Sequence, residues 1–177
     1  METLTKTIWK IDPTHSEVQF KVKHLVISTV TGTFKNFEGA LETEGDDFDG
    51  AEASFSLDVN SIDTNVADRD AHLKSDDFFN AEKYPTINFA GKLTKQGEDY
   101  KLVGALTIRD ITKEVEIDVD FGGTMVDGYG QNKAGFELSG VVNRKEYGLK
   151  WDMVTESGGV VVGDRVKLLM NIQLVQS

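Results

Sequence analysis

Hydrophobic and polar residues alternate with a period of two along most of the chain, the pattern of strands with one buried and one wet face. It is clearest where Val115, Ile117, Val119 and Phe121 interleave with Glu114, Glu116, Asp118 and Asp120. Val18, Phe20 and Val22 alternate with Glu17, Gln19, Lys21 and Lys23, and Ala53, Phe55, Leu57 and Val59 with Glu52, Ser54, Ser56 and Asp58. The same holds for Ile87, Phe89, Gly91 and Leu93, and for Leu102, Gly104, Leu106 and Ile108. It returns in Phe136, Leu138, Gly140 and Val142, then in Val166, Leu168, Met170, Ile172 and Leu174.

Turn signals separate these runs: Gly45-Asp46, Gly97-Glu98-Asp99, Gly122-Gly123, Asp127-Gly128 and Gly163-Asp164. Strands are therefore predicted at 7–12, 16–24, 30–44, 50–60, 84–95, 99–109, 113–122, 131–143 and 164–175. Phe34 and Phe37 are three apart, and a bulge near Lys35-Asn36 would return both to one face. One helix is predicted at 66–74, with Thr64 or Asn65 as cap, Asp68 in its first turn and Lys74 at its last. Shorter helical turns are expected at Leu25–Ser28 and around Asp76–Asn80.

Eight or nine amphipathic strands with so little helix cannot cover an open sheet, so the sheet closes on itself or packs on another. A barrel of about eight strands has an interior that side chains fill or that holds one small ligand. Ala53, Gly91, Gly104 and Gly140 at inward positions fit an unfilled interior; they equally fit relief of strand coiling or room for a neighbouring phenylalanine. The alternation leaves both open.

The 177 residues contain no repeat, low-complexity tract or linker, and read as a single domain over 1–177. No apolar run exceeds three residues, Val160-Val161-Val162 being one, so no membrane-spanning helix and no stable membrane insertion are expected. The first ten residues hold no signal-peptide core, so the expected location is the cytoplasm, or the periplasm if a leader has been trimmed. A net charge of −11 argues against nucleic acid as a partner. The absence of cysteine removes disulfides, thiol nucleophiles and thiolate metal sites. His15 and His24 stand at opposite ends of one predicted strand, about 30 Å apart, so no metal site uses His15, His24 and His72 together. Glu44–Asp49 lacks the ligand spacing of a calcium loop, and the acidic faces at 42–49 and 114–120 read as solvated outer surface.

Several segments, in order, resemble the YceI-like, polyisoprenoid-binding family. They are Asp12-Pro13-Thr14-His15-Ser16 through His24-Leu25, Ser61-Ile62-Asp63-Thr64, Arg69-Asp70-Ala71-His72-Leu73-Lys74 through Phe79, and Lys83-Tyr84-Pro85-Thr86 through Phe89. Gly104–Ile108 with Thr112–Val115, Asn143–Leu149 and Val162–Val166 complete the series, which spans residues 12 to about 170. Asp110 departs from it, standing where a turn glycine is expected. The resemblance implies an all-β, extended lipocalin-like antiparallel barrel of about eight strands with one or two short helices. It implies an apolar pore that binds a long isoprenoid, quinone-like or fatty-amide molecule, and it is compatible with a homodimer. It transfers no catalytic residues and no cofactor beyond such a bound lipid.

By alternation the lining should include Val18, Phe20 and Val22, then Phe55, Leu57, Ile87 and Phe89. Leu106, Ile108, Val115, Ile117 and Val119 should follow, with Phe136, Leu138, Leu168 and Ile172 completing it. Some twenty buried carbons would offer roughly 16 kcal/mol before the cost of ordering a flexible chain. Hydrocarbon burial hardly discriminates, so specificity falls to the cavity's length and to polar groups at its mouth. Arg69 and His72 are candidates there, as are Arg144 and Lys145 in the densest basic stretch. The alternative for 144–150 is a solvated turn. On the helix His72 lies near Arg69 and Asp68, and an enzymatic reading would make it a base oriented by a carboxylate, without an evident nucleophile. A ligand-free structural barrel is the third reading.

Overall fold

Strands β1 (Lys6–Ile11) and β2 (Glu17–His24) run in one direction along β11 (Val162–Gln176), which pairs Leu174 with Ile11 and Asn171 with Glu17. They are two halves of one barrel stave, offset where Pro13–His15 forms a 3-10 turn. In this computed structural model, residues 6–25, 27–45, 47–151 and 162–177 are described. Strands β3 (Ser28–Phe34) and β4 (Phe37–Glu44) form a second split stave, and β5 (Asp47–Asp58) and β6 (Ile62–Asp63) a third. After helix α1 (Ala67–Lys74) come β7 (Thr86–Gln96), β8 (Asp99–Ile108), β9 (Ile111–Val126) and β10 (Asn132–Asn143). Each stave pairs antiparallel with the next, and β11 pairs with both β10 and the first stave. The result is a closed eight-stave meander, in which β6 covers only the Thr33-Phe34 end of β3.

The offsets follow from local chemistry. Pro13 has no N–H to give to a ladder, and the Asp12 carboxylate accepts from Thr14 N (3.1 Å) and Thr14 Oγ (2.7 Å) and pairs with His15 Nδ1 at 2.8 Å. Between β3 and β4, Lys35 N donates to Ser61 O (3.2 Å) and Asp58 N to Asn36 O (2.9 Å), while Lys35 Nζ meets Asp63 at 2.8 Å. The irregularity falls at Lys35-Asn36, where the aromatic spacing requires it, and Phe34 and Phe37 both pack on the core.

The nine predicted strands all fall on strands of the barrel, but eleven form among the described residues, and β6 is not among the predicted ones. The run 30–44 is two strands, and β9 continues past Gly122-Gly123 to Val126 instead of turning there. The register jumps from Phe136–Phe121 to Gly135–Gly123, so Gly122 is the extra residue of a bulge that keeps the strand going. Gly163-Asp164 lies inside β11. The left-handed residue of the β8–β9 turn is Arg109, with φ of 56°, one position before Asp110.

The helix begins at Ala67, but neither Thr64 nor Asn65 caps it; Val66 holds that position without a side-chain bond. Thr64 instead donates its N–H and hydroxyl to Asp70, so the carboxylate reaches back from inside the helix. Leu25 and Ile27 lie in a turn that leads directly into β3, Leu25 at φ 53°, while Val26 lies outside the described residues. Asp76–Asn80 is a succession of turns, with Phe78 N and Asn80 N both bonded to Ser75 O. Of the turn at Gly45-Asp46, Gly45 has φ 65° and Asp46 lies outside the described residues.

The barrel has two unlike ends. One carries the β4–β5, β7–β8 and β9–β10 turns; the other carries the β2–β3 and β8–β9 turns, α1 and a 3-10 helix at Arg144–Tyr147.

Candidate ligand-binding site

Alternation sends every second side chain inward, and the inward faces enclose a cavity of about 630 Å³. Val18, Phe20 and Val22 of β2 line it, with Phe55 and Leu57 of β5, and Ile87 and Phe89 of β7. Leu106 and Ile108 of β8, Ile117 and Val119 of β9, Phe136 and Leu138 of β10, and Leu168 and Ile172 of β11 complete that set. Val115 is the exception. It packs half-buried on the core opposite Gly104, and the next residue on its face, Lys113, is exposed, so β9 is already leaving the interior there. Leu93, Leu102, Met170 and Leu174 also line the cavity and carried the same alternating signal. Phe78, Phe79, Leu149 and Trp151 line it from the connections, where no periodicity marks them.

Glycines shape this interior. Gly91 faces Gly104 across β7–β8, and a Cβ on Gly104 would sit 2.4 Å from the Gly91 Cα and 2.3 Å from Ala90 O. The two backbones are thus too close for side chains, which lets the strands coil. The Phe89 ring lies over Gly91, its Cζ 2.8 Å from where a Cβ would be. Room for phenylalanines and an open cavity are therefore both present.

At the turn end the cavity stops against aromatic rings. Phe121 stacks on Phe136 at 5.1 Å, and Phe48 meets Trp9 at 5.3 Å and both Phe121 and Phe136 at 5.5 Å. Tyr100 closes the group against Phe121 at 5.8 Å, and burial pushes its hydroxyl above the ordinary tyrosine range. Phe136 belongs to the cavity wall, whereas Phe48, Tyr100 and Phe121 line a separate depression on the outer side. The cluster is a floor between the two.

The helix end is polar, and two arginines staple it. Arg144 is only 4% exposed, so 144–150 is not the solvated turn of the alternative reading. It donates to Gly163 O (2.8 Å), Leu149 O (2.7 Å), Trp151 O (2.8 Å) and Val162 O (3.2 Å), tying both sides of the β10–β11 connection to the barrel. Arg109 does the same for the loop after α1, donating to Asp76 O (3.3 Å), Phe78 O (3.1 Å) and Gly148 O (3.3 Å). Beside Arg144, Tyr147 is fully buried, and that burial raises its pKa.

Of the four headgroup candidates, Arg69, His72 and Arg144 reach the cavity and Lys145 does not; its Nζ lies 3.2 Å from Asp164. Arg144 is occupied with backbone carbonyls. The carboxylate beside His72 is Asp77, not Asp68, with Nε2 to Oδ2 at 2.9 Å. The His72 ring is wedged edge-on between Phe78 (5.1 Å) and Trp151 (4.7 Å), part of the wall. Among the described residues Arg69 is held by Thr64, through Nε to Oγ1 (2.8 Å) and Nη2 to the carbonyl (2.6 Å). Among the described residues no helix is long and apolar enough to cross a membrane.

A family model described as a YceI-like domain matches residues 9–174. A UPF0312 protein of Staphylococcus epidermidis is 40% identical over 162 residues, covering 91% of this chain and 93% of its own. The Campylobacter jejuni YceI protein superposes with a TM-score of 0.72 at 30% identity, over 88% of this chain and 90% of its own. A polyisoprenoid binding domain from Saccharophagus degradans shares the fold, with a TM-score of 0.70 at 15% identity over 98% of this chain and 99% of its own.

Proposed function

The chain belongs to the YceI-like family, and from that premise we propose that its barrel binds a long apolar amphiphile, as a carrier, store or sequestering protein. Polyisoprenoid, quinone-like and fatty-amide lipids are the class to test. The observation that carries this is the cavity itself: about 630 Å³ with walls of Leu, Ile, Val and Phe from eight staves, closed by rings at one end and polar at the other. That volume lies within the range of small-molecule sites, about 300–1,000 Å³. An interior so apolar offers water no partners and takes up hydrocarbon in its place. The Saccharophagus domain, described as polyisoprenoid binding, supports starting with prenyl lipids.

Native mass spectrometry of the purified protein, with solvent extraction, tests the reading. A bound prenyl or quinone-like species is expected, and Leu138→Trp, which fills the cavity without adding charge, should abolish it while the protein stays folded. A protein that is empty and takes up neither added isoprenoid nor fatty amide would instead be a structural barrel.

A further inference from the structure

Among the described residues the cavity wall carries four charged ones, Lys23, Asp68, Arg69 and Arg144, and all four lie at the helix end. Three are cationic, in a chain whose net charge is −11. Among the described residues the entrance thus carries more cations than anions, which favours an anionic group there. The cations differ in what they have left to give. Arg144 is engaged by carbonyls on the β10–β11 connection. Lys23 extends from β2 to donate to Thr29 Oγ1 at 3.2 Å.

Arg69 is placed differently. A guanidinium has five N–H donors, and Thr64 takes one from Nε and one from Nη2. The other three, including both on Nη1, meet no acceptor among the described residues, and no carboxylate pairs with them. Of the two acids that flank it in sequence, Asp70 is turned onto Thr64, and Asp68 lines the cavity without an ion pair to Arg69 among the described residues. Thr64 is buried and thus a firm support, so the guanidinium is fixed along one edge while its Nη1 side remains available. That is the arrangement that receives a planar or tetrahedral oxyanion through paired hydrogen bonds.

We propose that Arg69 anchors the ligand's headgroup, and that the preferred amphiphile is anionic, its head a carboxylate or phosphate ester. This rests on the barrel-binding reading above. The tail then supplies affinity and Arg69 supplies the choice of head.

Titration of the full chain with geranylgeranyl monophosphate, geranylgeraniol and inorganic phosphate tests it. The monophosphate should bind about tenfold or more tighter than the alcohol, the scale of charge-assisted hydrogen bonds. Inorganic phosphate alone should neither bind nor displace it, since the head without the tail lacks most of the affinity. In Arg69→Gln the monophosphate should fall to the alcohol's affinity while the alcohol is unchanged. The wild-type protein gives a second readout, because added salt should weaken the monophosphate and leave the alcohol alone. Equal binding of both lipids, or a preference that survives Arg69→Gln, overturns the anchor while leaving the barrel reading intact. Tight binding of phosphate alone would make this a phosphate site and overturn it too. Failure of every lipid to bind wild type overturns the barrel reading itself and the anchor with it.

Discussion

The ring of Phe20 lies across Gly32 on the neighbouring strand, its Cζ 2.2 Å and its Cε1 2.3 Å from where a Cβ on Gly32 would stand. Phe20 cannot swing away freely, because its other neighbour is Phe34 at 5.5 Å. Gly32→Ala should therefore cost about 1–3 kcal/mol of stability, as overpacking does. Pairing it with Phe20→Leu, which shortens the ring's reach, should return part of the loss. Urea unfolding of the two variants checks this, and additive costs would show that the two positions do not meet.

Arg144 should be among the most sensitive positions in the chain for stability. Arg144→Met keeps the bulk of the stem but strands the carbonyls of Leu149, Trp151, Val162 and Gly163, which the guanidinium now satisfies. The expected cost is about 3 kcal/mol or more, given the price of buried unsatisfied acceptors. Proteolysis should then cut first in the β10–β11 connection. A variant within about 0.5 kcal/mol of wild type, the range of ordinary surface changes, would mean that the arginine is a bystander.

These two residues also mark what the sequence could reveal. Phe20 is readable because an inward strand face repeats every two residues, and the staves follow that repeat from Val18 to Leu174. Even the offset at Lys35-Asn36 announces itself, through Phe34 and Phe37. Arg144 is not readable in this way. Its neighbours in sequence are polar, and what buries it is a set of carbonyls up to 19 residues away, which no local pattern encodes. Arg109 escaped notice for the same reason, since its partners lie 31 to 39 residues distant. Val115 failed in the opposite direction: the period is right, but period does not tell where along its length a strand leaves the cavity.

The junction between β1 and β2 should make the protein acid-sensitive in a defined window. The hydrogen bond from His15, then that from Thr14, holds the Asp12 carboxyl down at about 2, from an ordinary 3.8. Because the folded-state value is the lower one, its stabilisation is complete above about pH 4 and disappears as pH falls towards 2. Asp12→Asn removes it throughout. The stability gap between wild type and this variant should thus narrow between pH 4 and pH 2, measured by chemical unfolding at several pH values. A gap independent of pH over that interval would assign Asp12 a purely steric role in the turn.

The aromatic floor should set the longest tail the barrel accepts. Phe48 is its keystone, touching Trp9, Phe121 and Phe136, and it lies between the main cavity and the depression outside. Phe48→Ala opens that partition at a cost of about 3–5 kcal/mol in stability. Offered prenyl alcohols of increasing length, the variant should bind longer ones than wild type does, with the shorter ones weakened through lost contact at the floor. Leu138→Ala also enlarges the cavity, but at a wall instead of the floor, and should leave the length limit where it is. The comparison separates a floor from mere volume: if both variants shift the limit equally, the rings at the turn end do not measure the tail.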